Sequence, residues 1–183
     1  MKRNNLQQAS EKLHTGGVIA YPTESCYGLG CDPKDEQAIK MLLKIKHRDW
    51  TKGLILIAAS VEQLYPYIDT NKFNIDKTEP GWPGPITWVV PAAENVSQYL
   101  RGDHAGIAVR VSDHPLTALI CRTFDGPIVS TSANPEGCPP ALSARDVRRY
   151  FGDKIDFIVK GSLGRLKKPT PIYDVLSGLC LRT

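Results

Sequence analysis

Apolar runs of strand length recur along the chain: GVIAY (17–21), LILIAA (54–59), ITWVV (86–90), GIAVRV (106–111), PIVST (127–131), FIVK (157–160) and PIYDVL (171–176). Between several of them the apolar residues change period. In EQAIKMLLKIKH (36–47), Ala38, Met41, Leu42 and Ile45 fall at the i, i+3, i+4, i+7 spacing of one buried helical face. HPLTALICRTF (114–124) follows Asp113 as a cap, SARDVRRYF (143–151) opens on a serine N-cap, and a further helix is expected near 5–15. Strands alternating with helices predict an α/β protein whose sheet is covered by helices. The polar, Pro/Gly-rich segment 69–85 reads as a loop or lid, or equally as a short helix and a turn.

Size narrows this picture. A chain of 183 residues suits one domain, 1–183, that buries about 70% of its unfolded surface and needs no disulfide or metal staple. With 42% hydrophobic residues, no apolar run approaches the roughly 20 residues that cross a bilayer, so no membrane role is expected. MKRNNLQQASEKLH continues with polar residues where a secretory signal has an apolar region, which predicts a cytoplasmic protein. Cys26, Cys31, Cys121, Cys138 and Cys180 form no Cys-x-x-Cys pair and read as free thiols. His14, His47, His104 and His114 form no His-Glu-x-x-His arrangement, so no protein-held metal is expected. The net charge of +4 and pI near 8.8 suit an anionic substrate or RNA and decide between neither.

Four places carry candidate chemistry. In IVSTSANPEG (128–137) an extended chain puts Ser130, Ser132 and Asn134 on one face and Val129, Thr131 and Ala133 on the other. Either the hydroxyls and amide cap a turn into Asn134-Pro135, or the polar face holds a ligand, because a buried hydroxyl without a partner costs about 1–3 kcal/mol. In KHRDWTK (46–52), an extended exit from the helix would put Lys46 and Arg48 on one side with Lys52 nearby, as a phosphate clamp. The alternative is a solvated helix end whose cations favour the C-terminal dipole. In YPTESCYGLGCDP (21–33), Thr23, Glu24 and Tyr27 stand at a strand's end, where α/β sheets bind ligands. Arg110, inside a strand, needs a carboxylate or phosphate if buried, or else an internal ion pair whose acidic partner the sequence does not name. The stretch 168–174 adds a further polar strand end, and the closing Leu181-Arg182 completes the candidates. A P-loop is excluded because no Gly-Lys dipeptide occurs, and no Gly-x-Ser-x-Gly elbow is present.

Taken in order, PTESCYGLGCDP, Lys46-x-Arg48 with KGLILIA, WPGPIT (82–87), AVR (108–110), STSAN (130–134) and GRLKKPTPIYD (164–174) resemble the YrdC family of threonylcarbamoyl-AMP synthases, also called TsaC, in its short bacterial form. The resemblance implies a twisted mixed α/β sheet around a large concave electropositive cavity, similar to dihydroxybutanone-phosphate synthase. It implies a nucleotidyltransferase that forms threonylcarbamoyl-AMP and pyrophosphate from L-threonine, bicarbonate and ATP, with Mg²⁺ brought by ATP, for the t6A modification at position 37 of tRNA. By the family motif Lys46, Arg48, Ser132 and Asn134 are the catalytic set. Lys52, Thr87 and Arg182 join them on the ATP side, while Thr23, Arg110, Ser130 and Thr170 face threonine. Partner proteins of the t6A pathway are implied as well. Asp49 stands where relatives often carry proline, and Cys26 where an aliphatic residue is usual, its thiol expected to do no more than pack. Two rivals remain. A non-catalytic tRNA- or rRNA-binding module would show steep salt dependence, but the scattered Lys and Arg lead us to expect at most weak RNA binding. A sugar-phosphate lyase or synthase would want a concentrated metal and acid–base set that this chain lacks.

Overall fold

The structure is a computed structural model that describes residues 3–183. Its elements run α1 (Arg3–His14), β1 (Ile19–Pro22), β2 (Tyr27–Gly30), α2 (Glu36–Lys46), β3 (Ile55–Ala58), β4 (Thr87–Pro91), α3 (Gln98–Arg101), β5 (Gly106–Val111), α4 (Pro115–Phe124), β6 (Ile128–Ser132), α5 (Ala144–Phe151), β7 (Phe157–Ile158), β8 (Ile172–Asp174) and β9 (Cys180–Arg182). The strands form one mixed sheet in the order β7-β1-β2-β6-β3-β5-β4-β8-β9. Pairs β1–β7, β3–β5 and β4–β8 are parallel and the rest antiparallel. The α/β expectation holds, and each of the seven apolar runs supplies a strand.

Helix ends follow local chemistry. Asp35 caps α2, its carboxylate accepting from the backbone of Gln37 and Ala38 at 2.9 and 3.0 Å. The helix stops where His47 turns left-handed, at φ 53°. Ser143 caps α5 as expected. Helix α4 is capped by His114 and not by Asp113, its Nδ1 accepting from the Thr117 N–H at 3.3 Å. Pro115 at the first helical position makes His114 the flanking residue. The buried arc of α2 also differs from expectation. It spans Ala38, Ile39, Leu42, Leu43, Ile45 and Lys46, leaving Met41 51% exposed, because the arc is centred near Leu42 and Lys46 and Met41 lies over 100° away at 100° per residue.

Strands β2 and β9 were not expected. Two glycines hide β2 in the sequence, yet Gly30 is required there, since a Cβ would overlap the Val129 carbonyl oxygen of the strand beyond. Segment 69–85 contains a 3₁₀ turn, Ile75–Gly81, so the short-helix reading applies to it.

One side of the sheet decides where the site lies. Helices α1 and α4 cover part of that side through a cluster that includes Leu13, Ile19, Ile57, Ile120, Phe124 and Ile128. Two residues along the same strands, Ile55 and Ser130 face a cavity instead. The opposite side packs α2 and α5 through the larger core, with Leu42, Leu56, Val109, Val129 and Val147 among its residues. Among the described residues no helix is long and apolar enough to cross a membrane.

Candidate active site

The cavity measures about 670 Å³. Its floor is the stretch of sheet that α1 and α4 leave uncovered: Gly28 of β2, Ile55 of β3, Val89 of β4, Ala108 and Arg110 of β5, Ser130 to Ser132 of β6 and Ile172 of β8. Its walls come from Arg48, Lys52, Gly53 and Leu54, from Arg101 and Asp103 with the residues up to Gly106, and from Pro169, Thr170, Leu181 and Arg182 near the C-terminus. Five lining residues are Lys or Arg (48, 52, 101, 110, 182) and two are acidic (Asp103 and Asp174), so the lining carries an excess of positive charge.

Eight of the eleven residues that the family resemblance assigns line this one cavity: Thr23, Arg48, Lys52, Arg110, Ser130, Ser132, Thr170 and Arg182. Lys46, Thr87 and Asn134 stand just behind them. The Lys46 ammonium donates to the carbonyl oxygens of Ser132 and Asn134, the latter at 2.7 Å, tying the end of α2 to the end of β6. It is 4% exposed, and burial, then the neighbouring Arg48 charge, lowers its pKa to about 8. Arg48 leaves the helix on the cavity side and donates from Nη2 to the Gly53 carbonyl at 2.9 Å, while its Nε is buried without a partner. Burial also lowers the Arg48 pKa.

Asn134 satisfies the turn-cap alternative. Its Nδ2 donates to the carbonyls of Pro135 and Cys138 at 3.1 and 2.7 Å, yet its Oδ1 is buried and unpartnered. Thr131, expected to pack, borders the cavity as well, and Leu29 and Gly28 of β2 pair with Thr131 and Ser132. Cys26 likewise faces the cavity, with burial pushing its thiol pKa up.

Arg110 is 5% exposed and lies in an internal ion pair, Nη2 to the Glu24 carboxylate at 3.1 Å. Ser112 donates to the same carboxylate at 2.5 Å. The other arm, Nη1, donates to the Thr170 hydroxyl at 2.6 Å, and Nε is buried without a partner. Thr170 is further held by Arg182, which donates to its carbonyl at 2.8 Å, and its hydroxyl lies 3.5 Å from that of the fully buried Thr87. Thr87, assigned to the ATP side by family resemblance, thus touches a residue assigned to threonine. Sequence reasoning noticed Glu24 but not its pairing, because nothing local links position 24 to position 110; Ser112, which donates to the same carboxylate, was missed for the same reason.

The family model for Sua5, YciO and YrdC proteins, described as "Telomere recombination", matches residues 11–182. The chain belongs to this family. Curated relatives include "Threonylcarbamoyl-AMP synthase" of Serratia proteamaculans, 49% identical over 175 residues and covering 94% of this chain and 92% of that protein. The protein of the same name from Vibrio campbellii is 45% identical, covering 97% of this chain and 98% of its own. Among solved structures, P. abyssi Sua5 complexed with L-threonine superposes with a TM-score of 0.88 at 30% identity, covering 95% of this chain and 52% of the longer Sua5 chain. This chain therefore spans about half of that Sua5. E. coli YciO has a TM-score of 0.85 at 24% identity, over 99% of this chain and 89% of its own, and shares the fold. Family members of nearly equal length thus carry the synthase name.

Proposed function

We propose that the protein is a threonylcarbamoyl-AMP synthase, a nucleotidyltransferase that joins L-threonine, bicarbonate and ATP into threonylcarbamoyl-AMP with release of pyrophosphate. The observation that carries this reading is the meeting, in one cavity, of Arg48, Lys52 and Ser132 with Arg110, Ser130 and Thr170. The names of full-length relatives and the threonine complex of P. abyssi Sua5 point the same way.

The chemistry asks little of the protein beyond placement and charge. The threonine amine adds to carbon dioxide derived from bicarbonate, giving a carbamate and, overall, water. A carbamate oxygen then attacks the α-phosphorus of ATP, and the bond to the β-phosphate oxygen breaks as pyrophosphate leaves. Two anions must approach each other, so neutralising the phosphates lowers the barrier without a protein nucleophile. Arg48 and Lys52 take the triphosphate, which enters with its Mg²⁺ as part of the substrate. The Ser132 hydroxyl and the orphan Asn134 Oδ1 sit at the strand end, above the buried Lys46 charge. Arg182 adds charge beside Thr170. On the other side, Arg110 meets the threonine carboxylate through the edge that carries its free Nε, with the Thr170, Thr23 and Ser130 hydroxyls around it. Thr87 supports Thr170 from beneath. The product is a labile mixed anhydride, which fits delivery to partner proteins that modify tRNA in the cytoplasm.

Purified protein given MgATP, threonine and bicarbonate should release pyrophosphate only when both threonine and bicarbonate are present. Release indifferent to either would end the synthase reading. In the same assay Arg48→Ala should lose about 10²–10³ in turnover, the usual scale for one transition-state donor, while its circular dichroism stays unchanged.

A further inference from the structure

The ion pair between Lys52 and Glu136 has no place in the scheme above. Lys52 lines the cavity, and its ammonium donates to Glu136 Oε1 across its edge. Glu136 reaches this point because the turn after β6 is built for it. The Asn134 side chain braces the turn through Pro135 and Cys138, and the Glu136 N–H donates to the Lys46 carbonyl at 3.3 Å. The carboxylate is thus anchored by its own backbone to the end of α2, the element that delivers Lys46 and Arg48. Lys52 first, and Arg48 after it, hold the Glu136 carboxyl below its ordinary range, which favours its anionic form.

An anion fixed beside Lys52 and Arg48 occupies the electrostatic place of a phosphate. Resting on the synthase reading for the identity of the ligand, we propose that Glu136 is a positioning residue that acts through Lys52. It serves as the counter-ion of the cationic cluster in the free enzyme, releases Lys52 to the triphosphate of ATP, and takes it back as pyrophosphate leaves. The exchange trades one carboxylate for a polyphosphate of higher charge, which favours ATP. The returning carboxylate in turn competes with pyrophosphate and helps it depart. Both side chains of the pair are about half exposed, at 48% and 52%, so the contact is a screened one that a ligand can break at little cost.

The test compares wild-type protein with Glu136→Gln and Glu136→Asp. Binding of inorganic tripolyphosphate, followed by calorimetry without threonine or bicarbonate, should tighten about fivefold in Glu136→Gln, the scale of one exposed ion pair. The gain should shrink as salt is raised. In turnover, KM for ATP and the inhibition constant of pyrophosphate should fall by a similar factor, while KM for threonine does not move. Glu136→Asp, which keeps the charge, should stay close to wild type. Unchanged tripolyphosphate binding in Glu136→Gln would overturn the proposal. So would weaker ATP use relieved by extra Mg²⁺, because Glu136 would then be a ligand of the metal that ATP carries. If tripolyphosphate binding tightens but no variant shows threonine-dependent pyrophosphate release, the counter-ion role stands and the synthase reading falls.

Discussion

Lys46 shows how one side chain can support the proposed binding site without lining its cavity. Its ammonium is spent on two carbonyls at the end of β6, so it fixes where Ser132 and Asn134 point and leaves a positive charge beneath them. Burial disfavours that charge and lowers the pKa to about 8. The lysine is therefore charged below about pH 8 and neutral above it, and the field at the phosphate site fades as pH rises. We expect kcat/KM for ATP, which reports the free enzyme, to fall as pH rises through 8. Lys46→Arg should move that falling limb upward, since a guanidinium keeps its proton; a limb unmoved by the substitution would assign it to another group. Arg110 teaches the complementary lesson. Its position inside a strand announced a buried cation; the structure gives it the internal ion pair with Glu24, and the proposed ligand contact is left to its free Nε. Glu24 takes one arm and Thr170 the other, and the orphan Nε is what remains.

At the scale of elements, the site depends on two loops that interlock through glycines. Gly53 and Gly102 both have positive φ, 63° and 68°. A Cβ on Gly102 would overlap the Thr51 carbonyl, and one on Gly53 would come within 2.9 Å of the Arg101 carbonyl. The Asp103 N–H donates to Thr51 at 3.1 Å and the Leu54 N–H to Leu100 at 2.7 Å. This junction holds the Gly53 carbonyl that receives Arg48. Gly102→Ala should cost about 1–3 kcal/mol from backbone strain alone, because φ 68° with ψ −150° is a conformation nearly confined to glycine, measurable by urea unfolding. It should also raise KM for ATP more than KM for threonine, because the displaced loop carries the side proposed to bind the phosphates. Strand β6 makes a different point. Ile128 packs under α1 and α4, and Ser130 and Ser132, further along the same face, do not. The change from apolar to hydroxyl marks the edge of helical cover.

For the molecule as a whole, the cavity exists because two helices cover only part of one sheet face, and strands from both ends of the chain finish around the gap. Ligands that bind there and not to the unfolded chain should stabilise the fold. Threonine together with a non-hydrolysable MgATP analogue, at about 100 times their dissociation constants, should add about 2.7 kcal/mol per independent site. Thermal unfolding should show this as a higher midpoint with both ligands, and in Arg48→Ala the share contributed by the MgATP analogue should be lost while the threonine share stays. The sequence alone determined the alternation of strands and helices, the serine cap of α5, and the clusters around 21–33, 46–52 and 130–134, because local periodicity, capping and motif order are properties of neighbouring residues. It did not determine β2, whose glycines erase the apolar signal, or the exposure of Met41, which depends on where α2 meets its neighbours. Only the tertiary structure paired Glu24 with Arg110 and Lys52 with Glu136, and set Lys46 behind the cavity. Those contacts join residues far apart in the chain, and which charges meet across a cavity is decided by the packing that closes around it.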